Sequence, residues 1–292
     1  MEAASSTWVN DERTSALREQ LHRQWDSVAP GWEANAAFAD ERGADVTAAL
    51  FELARPAAGE RVLELAAGAG GVGLAVAELV GPEGEVVVSD VAPRMTAIVK
   101  RRAEARGAAN VTVRELDLEA IDEPDGSFDV VLCREGMMLV PDPAVAAREI
   151  RRVLRPGGRA AVAVWGPRAR NPWLGLVFDA VTAQLGTPVP PPGIPGPFSL
   201  DDAERLAAVL GGVGLTGIEV REVEVPYPAR SVDEWWTRTA ALAGPLAERL
   251  AALPEPARLA LRERAAAAAE AYRNGDGLDF PGVSLLAGAT RA

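Results

Sequence analysis

The chain is 292 residues long, 48% hydrophobic and 25% charged, the proportions of a folded globular protein. A net charge of −12 lacks the basic face that a phosphate backbone requires, and no basic cluster is denser than Arg151 and Arg152 with Arg155 and Arg159; no nucleic-acid partner is expected. A single cysteine, Cys133, and a single histidine, His22, exclude a disulfide framework, a thiolate cluster and a histidine-built metal site, so no metal is expected.

The start MEAASSTWVNDER is acidic and without the apolar core of a leader. No apolar run approaches the roughly 20 residues that cross a bilayer, which points to the cytoplasm and no membrane span. Leu17, Leu21 and Trp25 recur at helical spacing and predict a helix from Asp11 to Trp25, broken at Pro30-Gly31. A second helix is expected from about Ala39 to Leu53. Strands and helices then alternate: strand Arg61–Leu65, helix Gly71–Val80, strand Glu85–Ser89, helix Pro93 to Arg106, and strands Val111–Glu115 and Phe128–Cys133. Helix Ala144–Leu154 is stopped by Arg155-Pro156-Gly157-Gly158, and strand Arg159–Trp165 follows. Short buried strands separated by helices imply a parallel sheet with helices on both faces. Right-handed crossovers bring every strand's carboxyl end to one edge, where ligands bind.

After Trp165 the rhythm changes. A stiff proline-rich stretch, Pro188 to Pro197, precedes a helix Ser199–Leu210 that Ser199 and Asp202 open as a capping pattern. Ile218–Val225 alternates as a strand, Ser231 to Tyr272 is helical with breaks at Pro254 and Pro256, and Gly282–Ala289 closes the chain as a strand. This reads as one α/β domain over 1–292: a helical cap 1–40, a cofactor-binding core 41–166, a lid insert 167–210, and a C-terminal part 211–292 with a helical insert 231–274.

The chemistry concentrates after the first strand. Gly68, Gly70 and Gly73 satisfy G-x-G-x-x-G, and Asp90 stands about 20 residues on at the end of the next strand, the spacing of a dinucleotide fingerprint. Glycines let backbone approach a ligand, and the following helix offers free N–H groups. A strand-end acid can take both hydroxyls of a ribose. Those features serve a nicotinamide dinucleotide and a sulfonium nucleoside alike. Glu64 separates them, because a carboxylate ahead of the glycines suits a cationic amino-acid moiety and repels a pyrophosphate. Leu65-Ala66-Ala67 also intervene where a dinucleotide loop runs straight from strand into glycine.

Glu64-Leu65-Ala66-Ala67-Gly68-Ala69-Gly70 resembles the acid-x-Gly-x-Gly-x-Gly motif of class I S-adenosylmethionine (SAM)-dependent methyltransferases, especially the ubiquinone/menaquinone C-methyltransferase type. Ser89 to Met95, Asp117-Leu118-Glu119, Pro124 to Val131, Val140 to Pro143, and Arg152 to Gly158 resemble the family's later motifs in order. One departure stands out: the family's usual first glycine is Ala66 here. The resemblance implies a Rossmann-like sheet of seven mostly parallel strands with an antiparallel last strand. It implies SAM as methyl donor, S-adenosylhomocysteine (SAH) as product, and a small-molecule acceptor methylated on O, N or C.

It also assigns roles. Glu64 would contact the methionine amino end, with Ala66, Gly68 and Gly70 making room for that moiety; Asp90 would bind the ribose hydroxyls. Val91 and Met95 would pack on the adenine, Asp117 and the Leu118 amide would read its edge, and the Cys133 carbonyl would meet the ammonium. His22 and Glu135 are the candidate general bases. Trp25, Trp32, Met137, Met138, Trp165, Trp173 and Phe198 would line an acceptor pocket, since aromatic and methionine walls suit a planar or apolar molecule. Competing functions are an NAD(P)-dependent oxidoreductase, which Glu64 disfavours, and a SAM-binding relative with cyclase-like chemistry.

Overall fold

In the computed structural model, residues 3–292 are described in backbone and residues 14–292 in side chain as well, so the side chains of MEAASSTWVNDER lie outside the described residues. Four helices come first: α1 (Ala3–Ser27), α2 (Ala29–Ala34), α3 (Ala36–Arg42) and α4 (Ala44–Ala54). Pro30 does not break a helix here. It occupies the first turn of α2, where a missing N–H costs nothing. The helix expected from Ala39 is two pieces, α3 and α4, parted at Gly43.

The alternating region follows as β1 (Arg61–Leu65), α5 (Gly71–Val80), β2 (Glu85–Asp90), α6 (Pro93–Arg106), β3 (Val111–Glu115), β4 (Phe128–Arg134), α7 (Pro143–Val153) and β5 (Leu154–Trp165). The Arg155–Gly158 turn lies inside the start of β5 rather than between elements. Next come α8 (Pro172–Leu185), α9 (Ala203–Gly212), β6 (Leu215–Glu224), β7 (Tyr227–Ala229), α10 (Val232–Leu242), α11 (Pro245–Ala252) and α12 (Glu255–Ala269). The chain ends with β8 (Arg273–Asn274), β9 (Gly277–Phe280) and β10 (Val283–Arg291).

The expected Ser199 cap is not formed. Asp202 caps α9 by accepting from the Arg205 N–H at 2.8 Å, while the Ser199 hydroxyl accepts from Gly196 N–H. The C-terminal helical run also breaks at Gly244-Pro245, where Gly244 turns left-handed.

A seven-stranded sheet runs in the order β3-β2-β1-β4-β5-β10-β6. The first five are mutually parallel, and β10 lies antiparallel between β5 and β6. Val62, Leu63, Leu65, Val86, Val87, Val88 and Val130 to Cys133 are buried, as strands covered on both faces must be. Helix α4 packs over β4, β5 and β10, α5 and α6 over β1 to β3, and α7 with α9 against β5, β6 and β10. A second sheet, β7-β9-β8, was not foreseen from the sequence. The strand order reverses direction between β1 and β4, which opens a crevice at their carboxyl ends. That crevice holds the site.

Candidate active site

β1 delivers Glu64 into the crevice, and the chain turns sharply at Ala66, a non-glycine residue at φ 52°. The position normally given to glycine keeps its left-handed backbone, with an alanine carrying the strain. Beyond it, the Gly68 N–H donates to Asp90 Oδ2 at 2.8 Å, and the Ala92 N–H to Asp90 Oδ1 at 3.0 Å. The Gly73 N–H donates to Glu64 Oε2 at 2.7 Å, and a Cβ on Gly73 would collide with that same oxygen. The third glycine therefore docks α5 onto Glu64 and Val88. It makes no room for a pyrophosphate. Glu64 is both a partner of a helix amide and part of the cavity wall. Burial pushes its carboxyl up to about 8, against the pull of Arg134 and the Gly73 amide. Burial likewise raises Asp90 to about 6. Among the described residues neither acid makes an ion pair within 4 Å.

Past β3, Asp117 is tied down rather than free. His22 Nε2 and Arg18 Nε from α1 each lie 3.4 Å from its Oδ2, and the Glu119 N–H donates to Oδ1 at 2.8 Å. Burial alone would raise its carboxyl, but the His22 contact, the amide and the Arg18 charge hold it below the ordinary value. His22 thus stands over the β2 and β3 ends, three strand positions from β4 and roughly 14 Å across the sheet.

At the end of β4, Glu135 is a second strained residue, at φ 60°, and its neighbour Gly136 abuts Ala66 so closely that a Cβ on Gly136 would strike the Ala66 methyl. The Ser284 hydroxyl of β10 donates to Glu135 Oε1 at 3.1 Å. Burial raises the Glu135 carboxyl, while the charges of Arg134 and Arg42 oppose the shift.

A cavity of about 300 Å³ joins these groups to an aromatic chamber. Trp173 stacks on Tyr227 at 5.1 Å and meets Trp165 edge-on at 5.1 Å, while Phe38 meets Tyr227 edge-on at 5.2 Å. The Arg42 guanidinium sits 4.3 Å from the Trp173 centroid, 4.8 Å from Trp165 and 4.9 Å from Tyr227. Its Nε donates to the Pro226 carbonyl at 3.1 Å and its Nη2 to that of Val225 at 3.2 Å. Burial lowers Arg42 to about 10, so it stays cationic at neutral pH. Helix α1, the proline-rich loop and α10–α11 roof the space, and the indole N–H of Trp32 is buried without a partner.

Of the residues expected from sequence, the cavity wall brings together His22, Glu64, Ala66, Gly68, Asp90, Val91, Met95, Asp117, Leu118 and Glu135, with Trp25, Trp32, Met138, Trp165 and Trp173. Gly70, Cys133, Met137 and Phe198 lie outside it. Gly70 turns the chain into α5 against Val99, the Cys133 thiol is fully buried and pushed up to about 12, Met137 is in the core, and Phe198 packs edge-on against Phe178. Arg42, Phe38, Arg134 and Tyr227 were missed. Nothing in their local sequence marks them, because their partners lie far along the chain, 87 and 91 residues away for Arg134, or in the unforeseen sheet.

Residues 62–158 match the methyltransferase domain family. The demethylmenaquinone methyltransferase of Thermus thermophilus is 42% identical over 127 residues, covering 44% of this chain and 56% of that protein. The chain spans about half the length of the curated relatives it matches. Among solved structures, the [4+2]-cyclase SpnF resembles 93% of the chain over 95% of its own, with a TM-score of 0.57 and 20% identity. Phosphoethanolamine N-methyltransferase 2 of Haemonchus contortus, in complex with phosphomonomethylethanolamine and SAH, resembles 94% of the chain over 60% of its own, with a TM-score of 0.57 and 17% identity. At that identity the two structures speak to the fold. The matched segment covers β1 through the start of β5, while the aromatic chamber is built mostly from residues outside it. Among the described residues, no helix is long and apolar enough to cross a membrane.

Proposed function

We propose that this chain transfers the methyl group of SAM to a small, largely apolar acceptor. One observation carries the reading: a continuous cavity links two buried acids at the glycine loop, Glu64 and Asp90, neither with an ion-pair partner within 4 Å among the described residues, to an aromatic chamber. Buried acids whose only partners are backbone amides keep acceptor capacity that a polar ligand can meet. An amino-acid ammonium at Glu64 and a ribose diol at Asp90 would do so. Val91 and Met95 offer an apolar face for the adenine, Asp117 with the Leu118 amide a polar edge, and Ala66 and Gly68 shape the methionine end. Glu64 and Asp40 also fill the space at the N-terminus of α5 where a diphosphate would sit.

SAM brings an already activated methyl group, so the chain has to align the acceptor and keep water out. The roof of α1, the proline-rich loop and α10–α11 serves that purpose. Of the two candidate bases, Glu135 lies at the junction with the aromatic chamber and His22 at the adenine end. Calorimetric titration with SAM, SAH and NAD tests the reading: micromolar SAM and SAH binding is expected, and binding of NAD without SAM overturns it.

A further inference from the structure

An amino-acid end is a zwitterion, and Glu64 answers only its ammonium. The carboxylate calls for a cation facing the glycine loop. Besides His22, which lies at the adenine end, the cavity wall carries Arg18, Arg42, Arg134 and Arg249. Arg18 is engaged with Asp117 and Glu119. Arg42 stands in the aromatic chamber with two nitrogens given to the Pro226 and Val225 carbonyls. Arg249 is exposed on α11. That leaves Arg134, and the sheet register brings it to the loop. Leu65 pairs with Cys133, so Arg134, the last residue of β4, comes level with the bend at Ala66. Glu64 pairs with Leu132, and residues two apart on a strand share a face, so Arg134 and Glu64 project to the same side of the sheet.

One edge of the Arg134 guanidinium is held by the protein. Nη1 donates to Thr47 Oγ1 at 2.9 Å and to the Gly43 carbonyl at 3.4 Å, and a Cβ on Gly43 would collide with that nitrogen. The other edge, Nε and Nη2, donates to no group among the described residues. Nη2 lies 3.5 Å from where a Cβ on Gly71 would stand, at the first residue of α5. Asp40 is also against Gly71, but its partner is Arg102, and among the described residues no acid lies within 4 Å of Arg134. Glu64 in turn accepts from Gly73 through Oε2, leaving Oε1 open. Glu64 feels the Arg134 charge without pairing with it. Opposite charges on one face, more than 4 Å apart, leave a gap that a carbon bearing both an ammonium and a carboxylate can span.

We propose, resting on the methyl-transfer reading, that Arg134 anchors the methionine carboxylate of SAM and SAH opposite Glu64 at the ammonium, with Thr47 as the residue that positions it. The free Nε and Nη2 edge is the planar two-donor fork that captures a carboxylate through both oxygens. Arg134 is then a specificity determinant: it makes the site select the intact amino-acid end over adenine nucleosides that lack it. Thr47 and Gly43 fix the fork's direction from the start of α4, so the anchor is set by a helix outside the glycine loop.

The test is calorimetric titration of the full chain with three ligands: SAH, its decarboxylated analogue, which keeps the ammonium, and 5′-methylthioadenosine, which lacks both charges. The wild type is expected to bind SAH about tenfold or more tighter than the decarboxylated analogue, the worth of charge-assisted hydrogen bonds. Arg134→Met is expected to erase that preference by weakening SAH about 10- to 100-fold, with the other two ligands held within about threefold. Those two affinities report that the variant is folded. Arg134→Lys should restore part of the preference, as a point charge without the fork. Thr47→Val should lose a smaller part of it in the same ligand-selective way. Arg42→Met, which removes the neighbouring cation, is expected to keep it. A wild type that binds SAH and the decarboxylated analogue equally overturns the proposal, whatever the variants do. So does a preference that survives Arg134→Met, an equal loss for all three ligands, or a preference erased by Arg42→Met. If neither SAH nor 5′-methylthioadenosine binds the wild type, the methyl-transfer reading is overturned and this proposal with it, whereas SAH bound without regard to its carboxylate overturns the proposal alone.

Discussion

The two ends of the cavity are made in different ways. The glycine-loop end is assembled from consecutive strand termini of one parallel sheet, and its polar contacts are short-range in space and repetitive in kind: backbone N–H groups donating to Glu64, Asp90 and Asp117. The aromatic end draws Phe38 and Arg42 from α3, Trp165 from β5, Trp173 from α8 and Tyr227 from the second sheet, with no shared backbone frame. The first end is held by hydrogen bonds that the main chain guarantees. The second is held by side chains leaning on one another. A truncation in the chamber should therefore damage the fold, whereas a change at the loop should damage binding.

That contrast sets the order of expected effects. Trp173 is buried, stacks on Tyr227, meets Trp165 and carries Arg42 over its face. Trp173→Ala is expected to cost roughly 3–5 kcal/mol in urea unfolding of the ligand-free protein; a loss below about 1 kcal/mol would mean the chamber is not part of the stabilising core.

Glu64→Gln should do the reverse. The folded protein holds the Glu64 proton up to about 8 against an ordinary value of 4.5, so its contribution to stability is intact below pH 4.5 and is lost as pH rises through 8. Gln keeps an acceptor for the Gly73 amide without the charge. Stability at pH 8 to 9 is expected to rise by on the order of 2 kcal/mol, while SAM affinity falls roughly 10- to 100-fold as the ammonium loses a charged acceptor. For the wild type, SAM affinity should climb between about pH 6 and 8, with proton release seen as buffer-dependent heat. Affinity flat over that range would separate Glu64 from the ammonium.

The smallest expected effect is at the bend. Ala66→Gly relieves a left-handed alanine and should stabilise the chain by about 1 kcal/mol, with SAM affinity unchanged within a few-fold. A destabilisation would show that the Ala66 methyl packs better than its backbone is strained.

The loop end was legible because its signals are local. Alternating apolar strands, the Glu64–Gly68–Gly70–Gly73 spacing and Asp90 at a strand end all sit inside short windows, and strand limits fell within a residue or so for β1 to β4. The chamber was half legible. Tryptophans attract notice from composition, so Trp165 and Trp173 were named, yet Arg42 in Asp40-Glu41-Arg42-Gly43 reads as an ordinary charged helix end. Its meaning comes from the Val225 and Pro226 carbonyls in the link after β6 and from Tyr227 in a sheet of very short strands whose pattern no periodicity reveals. Ser199 failed as a cap for a related reason: two residues with capping side chains compete within one turn, and tertiary placement of α9 chose Asp202.

Gly136 sits where the two ends touch, leaving no space for a Cβ beside the Ala66 methyl. A side chain there would wedge β1 and β4 apart and move the donor and acceptor halves together. The junction is thus closed to evolutionary tinkering, and a lineage changing its substrate would have to do so from the far walls, in α8, the proline-rich loop and α10–α11. Divergence in those segments, beside a near-invariant Gly136, is the pattern such a lock would leave.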